Sequence, residues 1–348
     1  MASVIIDRRR PADEQEIDQL YRAVFGTSLA EGSRLRWRWQ YHENPATAGH
    51  SPDIWVAREG DVILGQYAAM PVVLRWGDRE VRASWGMDVF VRSEARGQGV
   101  GAQLFTTWAD SVDVALGLGL TPSSYGLFQK LHFDDVGPVP FFRCWLDPVA
   151  VASRHLGRPL GRVAGTLMRA GLAVPRRRPD PGTVAVRPIR AFGREHDDLW
   201  SRTGPSYAMC VKRDAAYLNW KYVRCPHRKY DLWEARRGDE VVGFGVSRHE
   251  DYRGLRLGWI VDAYAAEPDG QARRALIDAA LTSFRAAGVA RAQAFALGRA
   301  LRRDLGRLGF FRGSSPMQFC LRAQAGLPDA CRDSGKWHVV FGDSDMDR

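Results

Sequence analysis

Trp39-Gln40-Tyr41, followed by Pro45, reappears as Trp220-Lys221-Tyr222, followed by Pro226, at the same internal spacing. The stretch beyond repeats as well. Asp53, Trp55, Ala57, Arg58, Gly60, Asp61 and Gly65 align without a gap with Asp231, Trp233, Ala235, Arg236, Gly238, Asp239 and Gly243. Seven identities in a 13-residue window are hard to obtain by chance, and self-similarity at long period signals a duplicated fold. Further on, Asp88-Val89-Phe90-Val91 faces Asp262-Ala263-Tyr264-Ala265, and Lys130-Leu131-His132-Phe133 faces Arg307-Leu308-Gly309-Phe310. The chain reads as two copies of one unit.

Each copy has the same predicted plan. A short apolar strand (Val4–Ile6; Val184–Val186) leads into a helix (Asp13–Phe25; Arg194–Trp200). After the Trp-x-Tyr segment come two strands that turn at Gly60-Asp61 or Gly238-Asp239, both hairpin signals. A third strand follows (Trp85–Val91; Leu257–Ala265). In copy one, Val100, Leu104 and Trp108 then recur on one helical face. Another strand (Val112–Leu118; Ala290–Leu297), a helix (Ser123–Leu131; Arg299–Leu308) and closing strands complete the unit. This order implies an α/β fold with a mixed sheet that starts antiparallel. The expected boundaries are 1–147 for the first domain and 148–182 for an Arg/Gly/Pro-rich connector. Residues 183–340 form the second domain and 341–348 an acidic tail. Val163–Val174 in the connector reads as one short basic amphipathic helix, with a membrane-surface helix as the alternative.

Composition narrows the function classes. The chain has 348 residues, 45% hydrophobic and 26% charged, which is globular rather than disordered and suits two domains. The five Cys residues form no C-x-x-C pair, which excludes a zinc ribbon. No apolar run is long enough for a membrane span, and Met1–Arg10 turns basic after three apolar residues, unlike a secretory leader. A reduced, cytoplasmic protein is expected. The net charge is +10, but the basic residues are spread along the chain, so no nucleic-acid footprint is expected. A polyanionic cofactor would use a few of them equally well.

A duplicated sequence carries its own control: what both copies keep serves the fold, and what one alone has is a candidate for chemistry. Trp39/Trp220 and Trp55/Trp233 are therefore read as core. Arg96-Gly97-Gln98-Gly99-Val100-Gly101-Ala102 belongs to copy one alone; copy two has Glu267-Pro268-Asp269-Gly270-Gln271-Ala272 there. The glycines let backbone approach a bulky anion, and the helix opening near Val100 aims free N–H groups at it. No Gly-Lys-Ser/Thr follows, and the spacing is not that of a dinucleotide fingerprint. The pattern is a pyrophosphate cradle.

Asp88-Val89-Phe90-Val91, four residues, then Arg-Gly-Gln-Gly-Val-Gly resembles the acyl-CoA motif of the GNAT superfamily of N-acetyltransferases. Leu127-Phe128-Gln129-Lys130-Leu131-His132-Phe133 resembles that family's later L-Y-x-K-x-G-F segment. The chain is thus similar to a tandem GNAT protein whose second copy has lost the cofactor signature. The resemblance implies acetyl-CoA or another acyl-CoA as co-substrate and an amine acceptor, most simply a small molecule. It also implies that amides from Gln98 to Ala102 hold the pyrophosphate, beside Arg96 and Gly97, and that the Phe90–Val91 strand pairs with the pantetheine arm. A non-catalytic acyl-CoA-binding regulator is the alternative.

Two departures bear on catalysis: the family's Tyr is Phe128 here, and its Gly is His132. A thiol of pKa ~8.5 leaves tolerably without an acid, whereas an amine of pKa ~10.4 is neutral in only about one molecule in 10³ at pH 7. The base therefore matters more than the acid. Asp88 is the candidate base, although Asp262 matches it in copy two, and Glu43 is a rival. Tyr125, one turn before Phe128, is the candidate acid. His132 reads as a hydrogen-bonding residue. Gly342-Asp343-Ser344-Asp345-Met346-Asp347 lacks the Gly and terminal Glu of a calcium loop and is expected to fray. No metal is expected.

Overall fold

The computed structural model describes residues 4–26, 35–47, 50–172, 183–324, 329–345 and 347. Copy one runs β1 (Ile5–Arg8), α1 (Glu14–Phe25), β2 (Ile54–Glu59), β3 (Val62–Trp76), β4 (Arg79–Val91) and α2 (Val100–Asp110). It continues with β5 (Val114–Leu118), α3 (Pro122–Lys130), β6 (Asp134–Pro138) and β7 (Phe141–Trp145). Two helices follow, α4 (Pro148–Leu156) and α5 (Arg158–Leu172). Copy two runs β8 (Val184–Ile189), α6 (Arg194–Thr203), β9 (Met209–Val211), α7 (Ala215–Leu218), β10 (Asp231–Arg237), β11 (Glu240–Tyr252) and β12 (Leu255–Ala265). It ends with α8 (Gly270–Ala286), β13 (Arg291–Phe295), α9 (Arg299–Arg307), β14 (Phe311–Gly313), β15 (Gln318–Ala323), α10 (Asp329–Arg332) and β16 (Trp337–His338). The fold is mixed α/β in two mixed sheets.

The shared sequence positions have shared geometric causes. Gly60 and Gly238 both take φ of 60°, the left-handed value their two-residue hairpin turns require. A β-bulge follows at the same place in each hairpin, between Ala57 and Arg58 and between Ala235 and Arg236. Gly65 and Gly243 are glycine because a Cβ would lie 2.8 Å from the Phe90 carbonyl and 2.6 Å from the Tyr264 carbonyl of the next strand. Both Trp-x-Tyr segments wind into one π-helical turn, Arg38–His42 and Asn219–Val223. Trp39, Trp55 and Trp220 are buried, whereas Trp233 is half-buried and donates to the Ser247 hydroxyl at 2.9 Å.

The two sheets do not follow the two copies as blocks. One sheet has the order β1-β2-β3-β4-β5-β15-β6, and the other β14-β7-β13-β12-β11-β10-β8. Each copy lends the other one strand. β7 of copy one lies antiparallel between β13 and β14, and β15 of copy two lies antiparallel between β5 and β6. The far end of β3 also pairs with β9 of copy two. Phe141, Phe142 and Cys144 on β7 and Phe319, Cys320 and Leu321 on β15 are buried in the host sheets. At about 1.5–3 kcal/mol for each large apolar side chain, withdrawing either strand is costly. The main core draws on both copies, with Trp39, Trp85, Trp220, Phe319 and Trp337 in one cluster.

The connector differs from its expected single helix. Asp147 caps α4 by accepting from the Val149 and Ala150 N–H groups, and Pro148 opens it. Gly157, at φ 77°, separates α4 from α5. The expected helix Val163–Val174 thus begins five residues earlier, at Arg158, and its last two residues lie outside the described ones. None of the described helices is long and apolar enough to cross a membrane.

Candidate active site

The site begins as a split in the first sheet. The parallel strands β4 and β5 pair only from Ala83 opposite Val114 to Trp85 opposite Leu116. Beyond Trp85, β4 shifts register against β3 between Gly86 and Val89 and turns away. Gly86 admits this packing: a Cβ there would lie 2.2 Å from the Tyr67 hydroxyl and 2.8 Å from the Trp108 ring. The Trp108 Nε1 donates to the Ser84 hydroxyl at 2.8 Å and pins α2 across the strand. Among the described residues the β4–β5 ladder does not continue along β4 to Met87–Val91.

The glycine-rich loop lies where β4 ends. Gly97 (φ 79°) and Gly99 (φ 84°) both take left-handed conformations, and Gly99 opens α2 with no side-chain cap. The N–H groups from Gly97 to Ala102 make no hydrogen bond to the described residues. Gln98 braces the loop by donating to the Glu94 carbonyl at 2.8 Å, and the Arg96 Nε donates to the Val91 carbonyl at 3.2 Å. Residues 96–99 are exposed. Open donors at the positive end of a helix dipole fit an anion.

In copy two both features are closed by the chain itself. Asp269 caps α8 by accepting from the Ala272 N–H at 3.1 Å and pairs with Arg237 at 3.0 Å, so a carboxylate already sits at that helix end. The split between β12 and β13 is filled by residues 337–342. The Leu297 N–H donates to the Val339 carbonyl at 3.0 Å, Val340 bridges to Ala296, and the Gly342 N–H donates to the Val261 carbonyl at 2.9 Å. Buried Arg213 locks the segment, donating to Asp262 at 3.0 Å and to Asp343 at 3.1 Å. His338 lies 3.3 Å from the other Asp262 oxygen, the Lys221 ammonium donates to the Ser344 carbonyl at 2.5 Å, and Arg248 donates to Asp347 at 2.7 Å. The tail expected to fray is instead buried, with Asp343 and Ser344 almost fully enclosed. Asp343 and Asp347 have cationic partners 130 and 99 residues away in the chain, which no local pattern reveals.

These burials set the charges. Burial works to raise the Asp262 carboxyl, but Arg213 and His338 hold it below the usual range. Burial pushes the Lys221 ammonium down to about 8 and keeps the His338 imidazole below its ordinary value.

The expected catalytic residues are placed as follows. Asp88 lies in the shifted stretch of β4, half-buried, and accepts from the Tyr41 hydroxyl at 2.8 Å. Copy two repeats this pair as Tyr222 and Asp262 at 3.4 Å, so the Tyr–Asp contact belongs to the fold. Asp262 is in addition paired with the buried Arg213 at 3.0 Å. Tyr125 donates to Asp135 at 2.6 Å, and this bond raises its hydroxyl above the ordinary range. Gln318 donates to the same Asp135 carboxylate at 2.9 Å from the exchanged strand β15. Asp135 and Gln318 went unnoticed in the sequence, because only the strand exchange brings Gln318 here.

Phe128 lies in the core, with ring centroids 4.6 Å from both Phe105 and Phe133. Phe90 is likewise buried, edge-on to Tyr21, so only its backbone faces the split. His132 takes φ 58° at an exposed helix end, where copy two has Gly309 at φ 83°. Glu43 is engaged with Arg38 at 3.0 Å on the surface. Among the described residues no cluster of His, Cys, Asp or Glu could hold a metal ion.

Residues 6–134 match the acetyltransferase (GNAT) domain family. No curated protein matches the sequence. Solved structures similar in fold include a GCN5-related N-acetyltransferase from Anabaena variabilis, at 12% identity and TM-score 0.65, covering 92% of this chain and 73% of that one. A probable N-acyltransferase from Enterococcus faecalis is similar at 13% identity and TM-score 0.62, covering 93% of this chain and 73% of that one. N-myristoyltransferase from Saccharomyces cerevisiae, solved with myristoyl-CoA, is similar at 16% identity and TM-score 0.56, covering 87% and 79%. Residues 6–134 thus match a GNAT acetyltransferase domain, and the chain shares the fold of GNAT structures over nearly its whole length.

Proposed function

We propose that the chain is a CoA-dependent N-acyltransferase with a single active site, in copy one, that moves an acetyl or other acyl group onto an amine. The observation that carries this reading is the asymmetry of the copies. Among the described residues, the β4–β5 ladder of copy one stops at Trp85 and its glycine-rich helix end has no side-chain cap, whereas in copy two residues 337–342 bridge the corresponding strands and Asp269 caps the helix. Amides from Gln98 to Ala102 hold the pyrophosphate, with Arg96 and Gly97 beside them. The edge of β4 at Phe90–Val91 pairs with the pantetheine arm as an added strand, and an N–H on that edge polarises the thioester carbonyl.

Bound acyl-CoA supplies the activated acyl group and a thiolate leaving group. The amine forms the new C–N bond as the C–S bond breaks. Asp88 takes the amine proton, and Tyr125, oriented by Asp135, gives one to the thiolate. Titration calorimetry with CoA tests the site: one site per chain is expected, abolished by Gly99→Glu and retained by the exposed Gly306→Glu. Two equal sites would contradict the reading. Thiol release from acetyl-CoA against a panel of amines then tests catalysis.

A further inference from the structure

Helix α5 packs on α4 through glycine. A Cβ at Gly161 would lie 2.2 Å from the Ser153 Cα, and one at Gly165 would lie 2.4 Å from the Val149 Cα. The two glycines are four apart, so they share one face and bring the helices into close contact. At 3.6 residues per turn, Leu160, Val163 and Leu167 share the opposite face. They are 68%, 63% and 70% exposed, and Leu156 at the end of α4 is 52% exposed beside them. Scattered exposed leucines need no explanation, but a stripe of them at helical spacing does.

The charge of this segment is one-sided. From Pro148 to Pro179 there is no Asp or Glu, while Arg154, Arg158 and Arg162 are exposed on α4 and α5. Arg154 also donates to the Arg253 carbonyl at 2.9 Å, which brings the β11–β12 turn alongside, with Tyr252 half exposed and the Arg253 guanidinium over its ring. A leucine stripe, acid-free arginines and a neighbouring tyrosine together match an interfacial helix. With 15 residues, α5 is about 22 Å long, too short to span a bilayer and long enough to lie on one.

We propose that the outer face of α5, with Leu156, docks the protein onto an anionic lipid surface. The side chains of Leu160, Val163 and Leu167 enter the acyl boundary, and the arginines, within about a Debye length of it, meet the headgroup charge. A second copy of this chain is a poorer occupant, because α4 and α5 carry arginines and no acid, so that two copies would bring like charge together.

The test is co-sedimentation of the full chain with vesicles of phosphatidylcholine containing about 30% phosphatidylserine, against phosphatidylcholine alone. Binding to the anionic vesicles is expected. Leu160→Glu with Leu167→Glu should weaken it at least tenfold, and Arg158→Glu with Arg162→Glu should weaken it severalfold, as should added salt. Unchanged CoA binding and circular dichroism would show that the variants are folded. The proposal is overturned if the anionic vesicles are not bound, or if neither pair of substitutions changes binding. It is also overturned if light scattering finds a dimer that the leucine variant dissolves, which would make the face a contact between copies.

Discussion

Trp39 and Trp220 hydrogen-bond to each other in a closed ring. The indole of Trp39 donates to the Trp220 carbonyl at 2.7 Å, that of Trp220 donates to the Trp39 carbonyl at 2.8 Å, and the rings stack at 5.0 Å. Such reciprocity is the mark of a two-fold relation, here within one chain. The same relation trades β7 for β15 between the sheets. The copies are therefore held by a shared buried centre and two exchanged strands.

Cutting the chain within residues 173–182 should accordingly leave the two fragments folded and associated. The buried strands β7 and β15 would have to be withdrawn for them to part. Sedimentation of the nicked protein should give a single species of the parent mass. Independent fragments would show that the exchange contributes little.

Stability should fall as the pH drops below neutrality. Burial, with Arg36 and Arg228 nearby, pushes the His227 imidazole down to about 4, and burial also lowers His196 and His338. Between about pH 6.5 and 4 the unfolded chain binds protons that the folded chain does not, so stability is lost as pH falls. Asp262, held low by Arg213, adds to the loss at still lower pH. Tm measured from pH 7 to 4.5 should decline, and His227→Gln should flatten the decline. Equal slopes would remove His227 from the account.

His132→Gly should stabilise the protein by about 0.5–1 kcal/mol. His132 sits at φ 58°, a conformation that costs an L residue about 1–2 kcal/mol, partly offset by the greater freedom of glycine in the unfolded chain. Urea denaturation measures it. The converse change in copy two, Gly309→His, should destabilise.

Amine deprotonation should limit catalysis. The rate should rise through pH 7–9, and Asp88→Asn should lower kcat/KM by about 10²–10⁴-fold, the usual cost of a positioned base. Tyr125→Phe should cost much less, because a thiolate of pKa ~8.5 leaves without full protonation. Tyr125 keeps its proton over this range, since the bond to Asp135 raises it. A near-normal Asp88→Asn enzyme beside a dead Tyr125→Phe enzyme would reverse the roles and leave Asp88, like Asp262, a residue of the fold.

What the sequence determined by itself was local or repeated. Two copies, their strand and helix order, the hairpin at Gly60-Asp61 and the glycine-rich opening of α2 all follow from spacing within a few residues, where φ, periodicity and capping act. What only the tertiary structure decided lies between residues more than 40 apart in the chain. It includes the exchange of β7 and β15, the Gln318–Asp135 contact beside Tyr125, and the closure of the second split by residues 337–342. Asp343 shows why. As a sequence it is one carboxylate in a polar tail, but Arg213, 130 residues away, is buried beside it and beside Asp262. A buried guanidinium needs carboxylate partners more than the tail needs water, and that preference exists only once the chain has folded.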